Sequence, residues 1–573
     1  MNFILRNGLR LLLVLLWPAI LILSGCLLMR KKRYAFAVRH KLTDIIINTI
    51  LFIVAGIAVI WLFFHMENTI YSYDYSGHWL RSLYIKKWFF ENPASILGQV
   101  YNSMNHQEYS YLPALLMLGV TLISPSYGWF CISIFLNFVV PTFVLLQVFY
   151  FSFNMENPRL PLLISAVFYP LWLILFNGEV DIGNLFFLMM MVLLTLHQEW
   201  KHIDWIDTLS INLFALLLIF FRRYSLYMLV AFYPAYLLKY VFASRHMKDK
   251  KLPRNLLLLF SSGAVTLLIL LLFFRPYIGI VIGNNFSEAY EAYNRSGKIF
   301  EFISFFSLLI ISVGLYGIYR LIKEKETETL CSLFLMIVVP LLLFWRVQSL
   351  EHHHYTIVAL PILYVFSYGM IGLWSQKKKA LPFVLSAFLG LNAMLVLSPM
   401  PQIPLVNTPR RTPEKMTDID KIRELSTTLY YLTEGEGISA YMASGSLEFN
   451  DDILRNASLP DLSMMPQIDS AVLDLRDGFP RDLQFIKYII TIDPIQYFNQ
   501  PYQHIYDIIS NALWSEPLIQ EIYQKVYTTE IDGMNIEIYE RTGDFSPAVK
   551  EYFYNEIVRI YPDKAEEFRY ILD

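Results

Sequence analysis

The chemistry this sequence could do is concentrated in a few polar stretches set between long apolar runs. Asp74 stands in the stretch 67–113, within Tyr71-Ser72-Tyr73-Asp74-Tyr75-Ser76-Gly77-His78-Trp79, after the apolar run 44–64. A carboxylate about ten residues past a membrane span sits at headgroup depth, where partial dehydration suits a general base. His78, Lys86, Lys87, Asn105, His106 and Glu108 lie in the same stretch. Two readings of Asp74 are open: a catalytic base, or an acid that caps a short helix.

Three further stretches carry polar groups near membrane depth. Asn177-Gly178-Glu179-Val180-Asp181-Ile182-Gly183-Asn184 separates two apolar runs. A charge at the bilayer centre costs about 2.5–3.5 kcal/mol on insertion scales, so Glu179 and Asp181 either face a cavity or partner or belong to a simple turn. Arg222-Arg223 interrupts the run 211–242. The planar fork of arginine suits a lipid phosphate; anchoring by snorkelling is the alternative. The third stretch, 346–355, begins at Arg346 and ends in His352-His353-His354-Tyr355. An extended strand would place only His352 and His354 on one face. That disfavours a metal site and leaves polar contacts to phosphate or sugar, or a hydrated loop. Arg275, Tyr277, Arg295 and Lys298 form a weaker cluster.

The elements that must position these groups are membrane spans. Of the 573 residues, 56% are hydrophobic and 16% charged, against about 45–50% and 25% in soluble domains. Mean hydropathy is +0.44. The expected fold is a polytopic α-helical membrane protein of about 12–14 spans. A first span over 9–29 leads to the basic loop 30–41, whose six Lys/Arg favour the cytoplasm. Run 44–64 then points outward and leaves Asp74 outside. A short interfacial helix is expected over 78–90, with Trp79, Leu80, Leu83, Trp88 and Phe89 near one side and Asn92-Pro93 ending it.

The loops 245–254, 320–325 and 377–379 are basic and read as inside. The loops 275–298 and 346–355, and everything past 398, then lie outside. Between residues 65 and 245 the sequence offers six apolar runs where an odd number of crossings is needed. Either one run does not cross or one hides a break; runs 111–124 and 160–197 are the suspects.

From Pro401 onward the character changes. Pro401, Pro404, Pro409 and Pro413 mark a linker. The tail carries 15 Lys/Arg against 29 Asp/Glu, a net −14, whereas the first 400 residues carry +12. Such a tail gives no reason to expect a nucleic-acid partner. Strands are expected over 438–443, 487–492 and 535–539, and helices over 418–432 and 502–513, making an α/β domain. Asp451-Asp452 and Asp474-Leu475-Arg476-Asp477 read as ordinary surface carboxylates. The three cysteines, Cys26, Cys131 and Cys331, all lie in apolar runs, and none is in the tail. Leu23-Ser24-Gly25-Cys26 matches a lipoprotein cleavage box. A cut there would leave Arg30-Lys31-Lys32-Arg33 outside, so it reads as a coincidence within the first span.

In arrangement the chain resembles the GT-C superfamily of integral membrane glycosyltransferases. The resemblance rests on the core span 44–64, the outer loop 65–110 with an early acid and an interfacial helix, and the Pro-led span at Leu112-Pro113. It continues through the turn Asn177-Gly178-Glu179-Val180-Asp181, the interruption Arg222-Arg223, and His354-Tyr355 ahead of Leu360-Pro361. It covers 44–400, the expected catalytic domain. Residues 1–43 add an extra span and a basic loop, and 401–573 resemble the external α/β domain that many bacterial members append. Where the family pairs two acids in the first loop, this chain has Asp74 alone, with Glu108 as a distant second.

The resemblance implies a bacterial plasma-membrane enzyme with its C-terminal domain outside. Its donor would be a polyprenyl-phosphate sugar and its acceptor an envelope or cell-wall glycan. Asp74 would be the base of an inverting transfer; Arg222, Arg223, His354 and Tyr355 would hold the phosphate. His78, Glu108, Glu179, Asp181 and Arg346 are further candidate binding residues. No cofactor is implied with certainty, and the single acid does not favour a divalent metal. A lipid-linked glycan polymerase or ligase, a transporter or flippase, and a non-catalytic scaffold are the alternatives.

Overall fold

The computed structural model describes residues 3–107, 109–153, 157–196, 203–245, 252–283, 298–347, 350, 352–375, 380–394, 405, 411–433, 440–471, 474–498 and 503–573. Glu108, Arg295 and residues 377–379 lie outside them. The chain divides into two compact units. A helical unit holds Met1–Met66 and Gly77–Pro413; the other holds Glu67–Ser76 and Glu414–Asp573.

In the helical unit six helices are long and apolar enough to cross a membrane: Arg6–Met29, Lys32–Met66, Tyr127–Ser152, Arg223–Phe242, Thr327–Arg346 and His352–Ser375. A seventh results if Ile299–Phe306 and Leu308–Lys323, bent by 91° at their junction, make one span. Exposed Leu11, Ile22, Val54, Trp61 and Phe260 suit hydrocarbon rather than water. The chain has the character of a multi-pass membrane protein.

Fewer long helices are found among the described residues than the apolar runs suggest, because several runs are broken. Residues 112–121 form two short helices, Leu112–Leu116 and Leu118–Thr121. At 1.5 Å per residue these reach about 14 Å, well short of a hydrocarbon core. Run 160–176 breaks at Phe168 into Leu160–Val167 and Tyr169–Phe176, with Pro161 and Pro170 near their starts. Proline lacks the N–H that a helix interior needs, so it settles in first turns. The basic stretch after the first span is a helical lead-in rather than a loop, joined to the next span across a non-helical Lys41.

The two ends of the helical unit differ in their polar contacts. At one end, Arg30 pairs with Asp204 and Lys31 with Asp207, and Lys239 lies 3.8 Å from Glu328. At the other, Arg6 donates to the Glu91 carbonyl (2.8 Å) and Arg10 to that of Phe89 (2.9 Å). These carbonyls close the helix Tyr73–Glu91, a terminus that attracts cations. Helices Leu308–Lys323 and Thr356–Ser375 meet backbone to backbone. A Cβ on Gly317 would stand 2.1 Å from the Val365 carbonyl oxygen, and one on Gly369 2.1 Å from that of Val313.

The second unit is an α/β domain with strands β1 (Ala440–Met442), β2 (Ile468–Ser470), β3 (Tyr488–Asp493), β4 (Tyr523–Ile531) and β5 (Met534–Arg541), ordered β2-β1-β3-β5-β4. β1 runs parallel to β2 and β3, and β5 antiparallel to β3 and β4. Asp532-Gly533, both at positive φ, turns β4 into β5, the two-residue hairpin chemistry of Asp-Gly. Alternation along β3 sends Ile490 and Ile492 into one core with Leu425 and Leu429, and Ile489 into another with Ile509 and Phe553. The expected helices appear as Ile419–Thr433 and His504–Ser515.

Two features of this domain were not expected. The segment 67–76 joins it: Asn68 bridges to Lys415, and Ile70 enters the core. Asp451 and Asp474, read as surface carboxylates, are buried. Asp474 accepts from the backbone N–H groups of His504 (2.6 Å) and Ile505 (3.2 Å) and from the Tyr561 hydroxyl (2.9 Å). It therefore caps the start of His504–Ser515. Burial pushes its carboxyl above the ordinary carboxylate range, against those hydrogen bonds.

Candidate functional site

Arg222 is the centre of the strongest polar cluster. It breaks the helical ladder between Trp205–Phe221 and Leu226–Arg245, in extended backbone (φ −148°, ψ 126°). Its side chain is 8% exposed. A guanidinium so placed needs a carboxylate, and Asp181, 1% exposed, supplies it: Nε donates to Oδ1 at 2.6 Å. Tyr224 donates its hydroxyl proton to the same oxygen. Tyr109 lies with its ring centroid 4.6 Å from the Arg222 guanidinium and 5.0 Å from that of Arg81, cation–π contacts that place positive charge without neutralising it.

His78 completes the cluster from the helix Tyr73–Glu91. Its Nε2 lies 3.1 Å from Arg222 Nη1. Arginine only donates, so Nε2 is the acceptor and the ring proton is on Nδ1. Burial, reinforced by Arg222, Arg81 and His353, holds His78 well below its ordinary value of 6.5. The ring is therefore neutral at pH 7, as accepting from arginine requires.

The late turn His352–Tyr355 is a 3₁₀ turn ahead of the helix Thr356–Ser375. His353 Nδ1 stands 3.5 Å from Glu179 Oε1. His354 meets Tyr224 edge-on, with ring centroids 5.0 Å apart, and packs on Phe344. Thr356 Oγ1 donates to the His353 carbonyl at 2.8 Å.

Two atoms of this cluster, His78 Nδ1 and Asp181 Oδ2, are buried with no hydrogen-bond partner among the described residues. Both amide atoms of fully buried Asn184 are in the same state. An open donor and an open acceptor beside an arginine are what a polar ligand or ordered water would complete. Arg222 also lines a cavity of about 10 Å³ with Ser103, Gln107, Ser110, Arg223 and Tyr277.

No protein-family model matches the chain, and no curated protein matches it.

Of the residues singled out in the sequence, His78, Glu179, Asp181, Arg222 and His354 are brought into this one region. Arg223 is half-buried and faces the Tyr277 ring, 5.8 Å from its centroid. Tyr355 stacks on Phe305 with centroids 4.3 Å apart, inside aromatic packing. Arg346 is exposed on the last turn of its helix. Asp74 belongs to the second compact unit, half-buried in the first turn of Tyr73–Glu91. Among the described residues no three His, Cys, Asp or Glu side chains are grouped to share a metal ion.

Tyr224 and His353 were not singled out. Tyr224 follows the arginine pair directly, and an aromatic beside a buried arginine is a readable signal. His353 was obscured by the assumption of extended backbone. In a 3₁₀ turn neighbours point about 120° apart, and it is the middle histidine that meets Glu179.

Proposed function

We propose that the chain is a membrane glycosyltransferase of the GT-C kind, moving a sugar from a polyprenyl-phosphate donor to a cell-envelope acceptor with inversion. The observation that carries this reading is the convergence of His78, Glu179 with Asp181, Arg222 and His353, from four distant stretches, at one end of the helical unit. In this reading Asp181 and Tyr224 aim Arg222. Arg222 and Arg223 then stabilise the charge that grows on the departing phosphate. His78 Nδ1–H and Asp181 Oδ2 offer a donor and an acceptor to the sugar or phosphate. Asp74, in the first turn of the helix Tyr73–Glu91, is the general base of this reading. It takes the proton of the acceptor hydroxyl as the new C–O bond forms and the bond to phosphate breaks; polyprenyl phosphate leaves.

The topology that accompanies this reading places the Arg30–Asp204 end inside and the Arg222 end outside a bacterial plasma membrane, with the C-terminal domain outside. The short helices at 112–121 are then the run that does not cross, and the number of crossings before residue 245 becomes odd. Among the described residues six helices, or seven with the bent pair, are long and apolar enough to cross; this reading takes the four shorter apolar helices and the broken run 160–176 to cross as well.

The test uses protein in lipid nanodiscs and radiolabelled polyprenyl-phosphate sugars. Wild type is expected to release polyprenyl phosphate, and Arg222→Lys, which loses the planar fork, to do so about 100-fold more slowly. The reading fails if wild type releases none from a panel of such donors and lipid analysis of a deletion strain shows neither accumulated donor nor a missing sugar.

A further inference from the structure

The first turn of the helix that carries Asp74 is held in an unusual way, and the parts that hold it all lie in the second compact unit. Tyr73, the first helical residue, has φ +50°. That left-handed conformation is unfavourable for a residue with a Cβ and persists only where surroundings impose it. Its N–H, one of the donors a helix start leaves open, goes to Asp452 Oδ2 at 2.7 Å. Its ring lies edge-on to Phe498, with centroids 5.2 Å apart. Asn456 Nδ2 donates on both sides of it, to the Tyr71 carbonyl (2.9 Å) and to Ser76 Oγ (3.0 Å). Ser76 Oγ in turn donates to the Tyr73 carbonyl at 3.2 Å.

The holding residues are themselves braced. They sit on the short helix Asp451–Asn456, where Asn450 accepts from the Ile453 N–H at 2.9 Å. Arg455 binds Asp452 and, at 2.9 Å, Asp451. Ser470 donates to the other Asp451 oxygen at 2.7 Å. Asp452 thus has one oxygen committed to Arg455 and the other to Tyr73. On the upstream side, the backbone of Asn68 exchanges hydrogen bonds with Glu414 (2.8 Å) and Met416 (2.9 Å). The segment is fixed at both ends, with Asp74 in the turn between.

We propose that Asp452 and Asn456 are positioning residues: they hold Tyr73 in its left-handed conformation and thereby set the first helical turn and the direction of Asp74. Within the second compact unit, the helix Asp451–Asn456 is then what orients this carboxylate. The inference rests on the reading of Asp74 as the base. Its structural half can be tested without any substrate.

Hydrogen-exchange mass spectrometry on the full chain in nanodiscs is the measurement. In Asp452→Leu and in Asn456→Leu, amides of residues 71–78 should exchange about tenfold faster than in wild type, with those of β3 and β5 unchanged. Asp452→Asn keeps an acceptor for the Tyr73 N–H and should stay within about threefold of wild type. With a transferable donor, the leucine variants should lose kcat while KM for the donor holds. Unchanged exchange at 71–78 in both leucine variants overturns the proposal. So does faster exchange spread equally over β3 and β5, the mark of residues that merely stabilise the domain. If exchange responds as expected and wild type still transfers no sugar, the positioning stands and the glycosyltransferase reading falls.

Discussion

At the Arg30 end of the helical unit, charges meet as separate pairs; at the Arg222 end they meet as a network. Arg30 and Asp204 have side chains 38% and 35% exposed, and each has the other as its ion partner. Arg222 and Asp181 are almost wholly buried; Arg222 also meets His78, and Tyr224 touches both members of the pair. A pair at a wet surface adds little and can be lost singly. A buried network binds its members together, since each is tolerable only in the presence of the others. The same residue types therefore act as fasteners at one end and as an organised polar site at the other.

The sharpest way to break this contrast is at Asp181. Asp181→Leu leaves Arg222 buried without its carboxylate, and a cost of about 3–5 kcal/mol is expected. Thermal unfolding in detergent would read it, and sugar release should be abolished. The double variant Asp181→Leu with Arg222→Met should be more stable than Asp181→Leu alone. If the two changes simply add, the network is no network.

A smaller effect is expected from pH. His78 is held neutral in the fold, whereas the unfolded chain protonates it near 6.5. The unfolded state therefore gains the proton first as pH drops. Its contribution is complete above about 6.5 and is lost progressively as pH falls from there toward the depressed folded value. Unfolding curves between pH 7.5 and 5 should show this slope, and His78→Gln should flatten it.

The smallest effect is expected at the far end. Arg30→Ala should change stability by about 0–1 kcal/mol and leave sugar release at the wild-type rate. A large loss of release in that variant would show that the two ends are coupled and would undo the comparison.

Much of the molecule was legible before its structure. Long apolar runs announce membrane helices through burial of backbone polarity alone. In the tail, the strands over 487–492 and 535–539 were found to within a few residues, helped by the local chemistry of Asp532-Gly533. The broken runs were less legible because hydropathy sums side chains and overlooks where Pro161 and Pro170 must sit. Asp181 and Arg222 were readable as isolated charges in apolar surroundings. Their pairing was not, since 41 residues separate them and neither sequence neighbourhood names a partner. The attachment of 67–76 to the second unit was the least legible feature. Ten residues held by one backbone bridge, one carboxylate and one side-chain amide carry no periodic pattern.

The glycine contact between Leu308–Lys323 and Thr356–Ser375 has a practical consequence for tracing ancestry. At Gly317 and Gly369 an added methyl group would occupy space already held by a main-chain oxygen, which no rotamer change can vacate. Side chains around the polar network can drift together, and surface pairs can drift freely. These two positions cannot, for as long as the two helices cross where they do. A search for distant kin should therefore weight the interval between the paired glycines and its distance from the Asp181 turn, ahead of overall similarity.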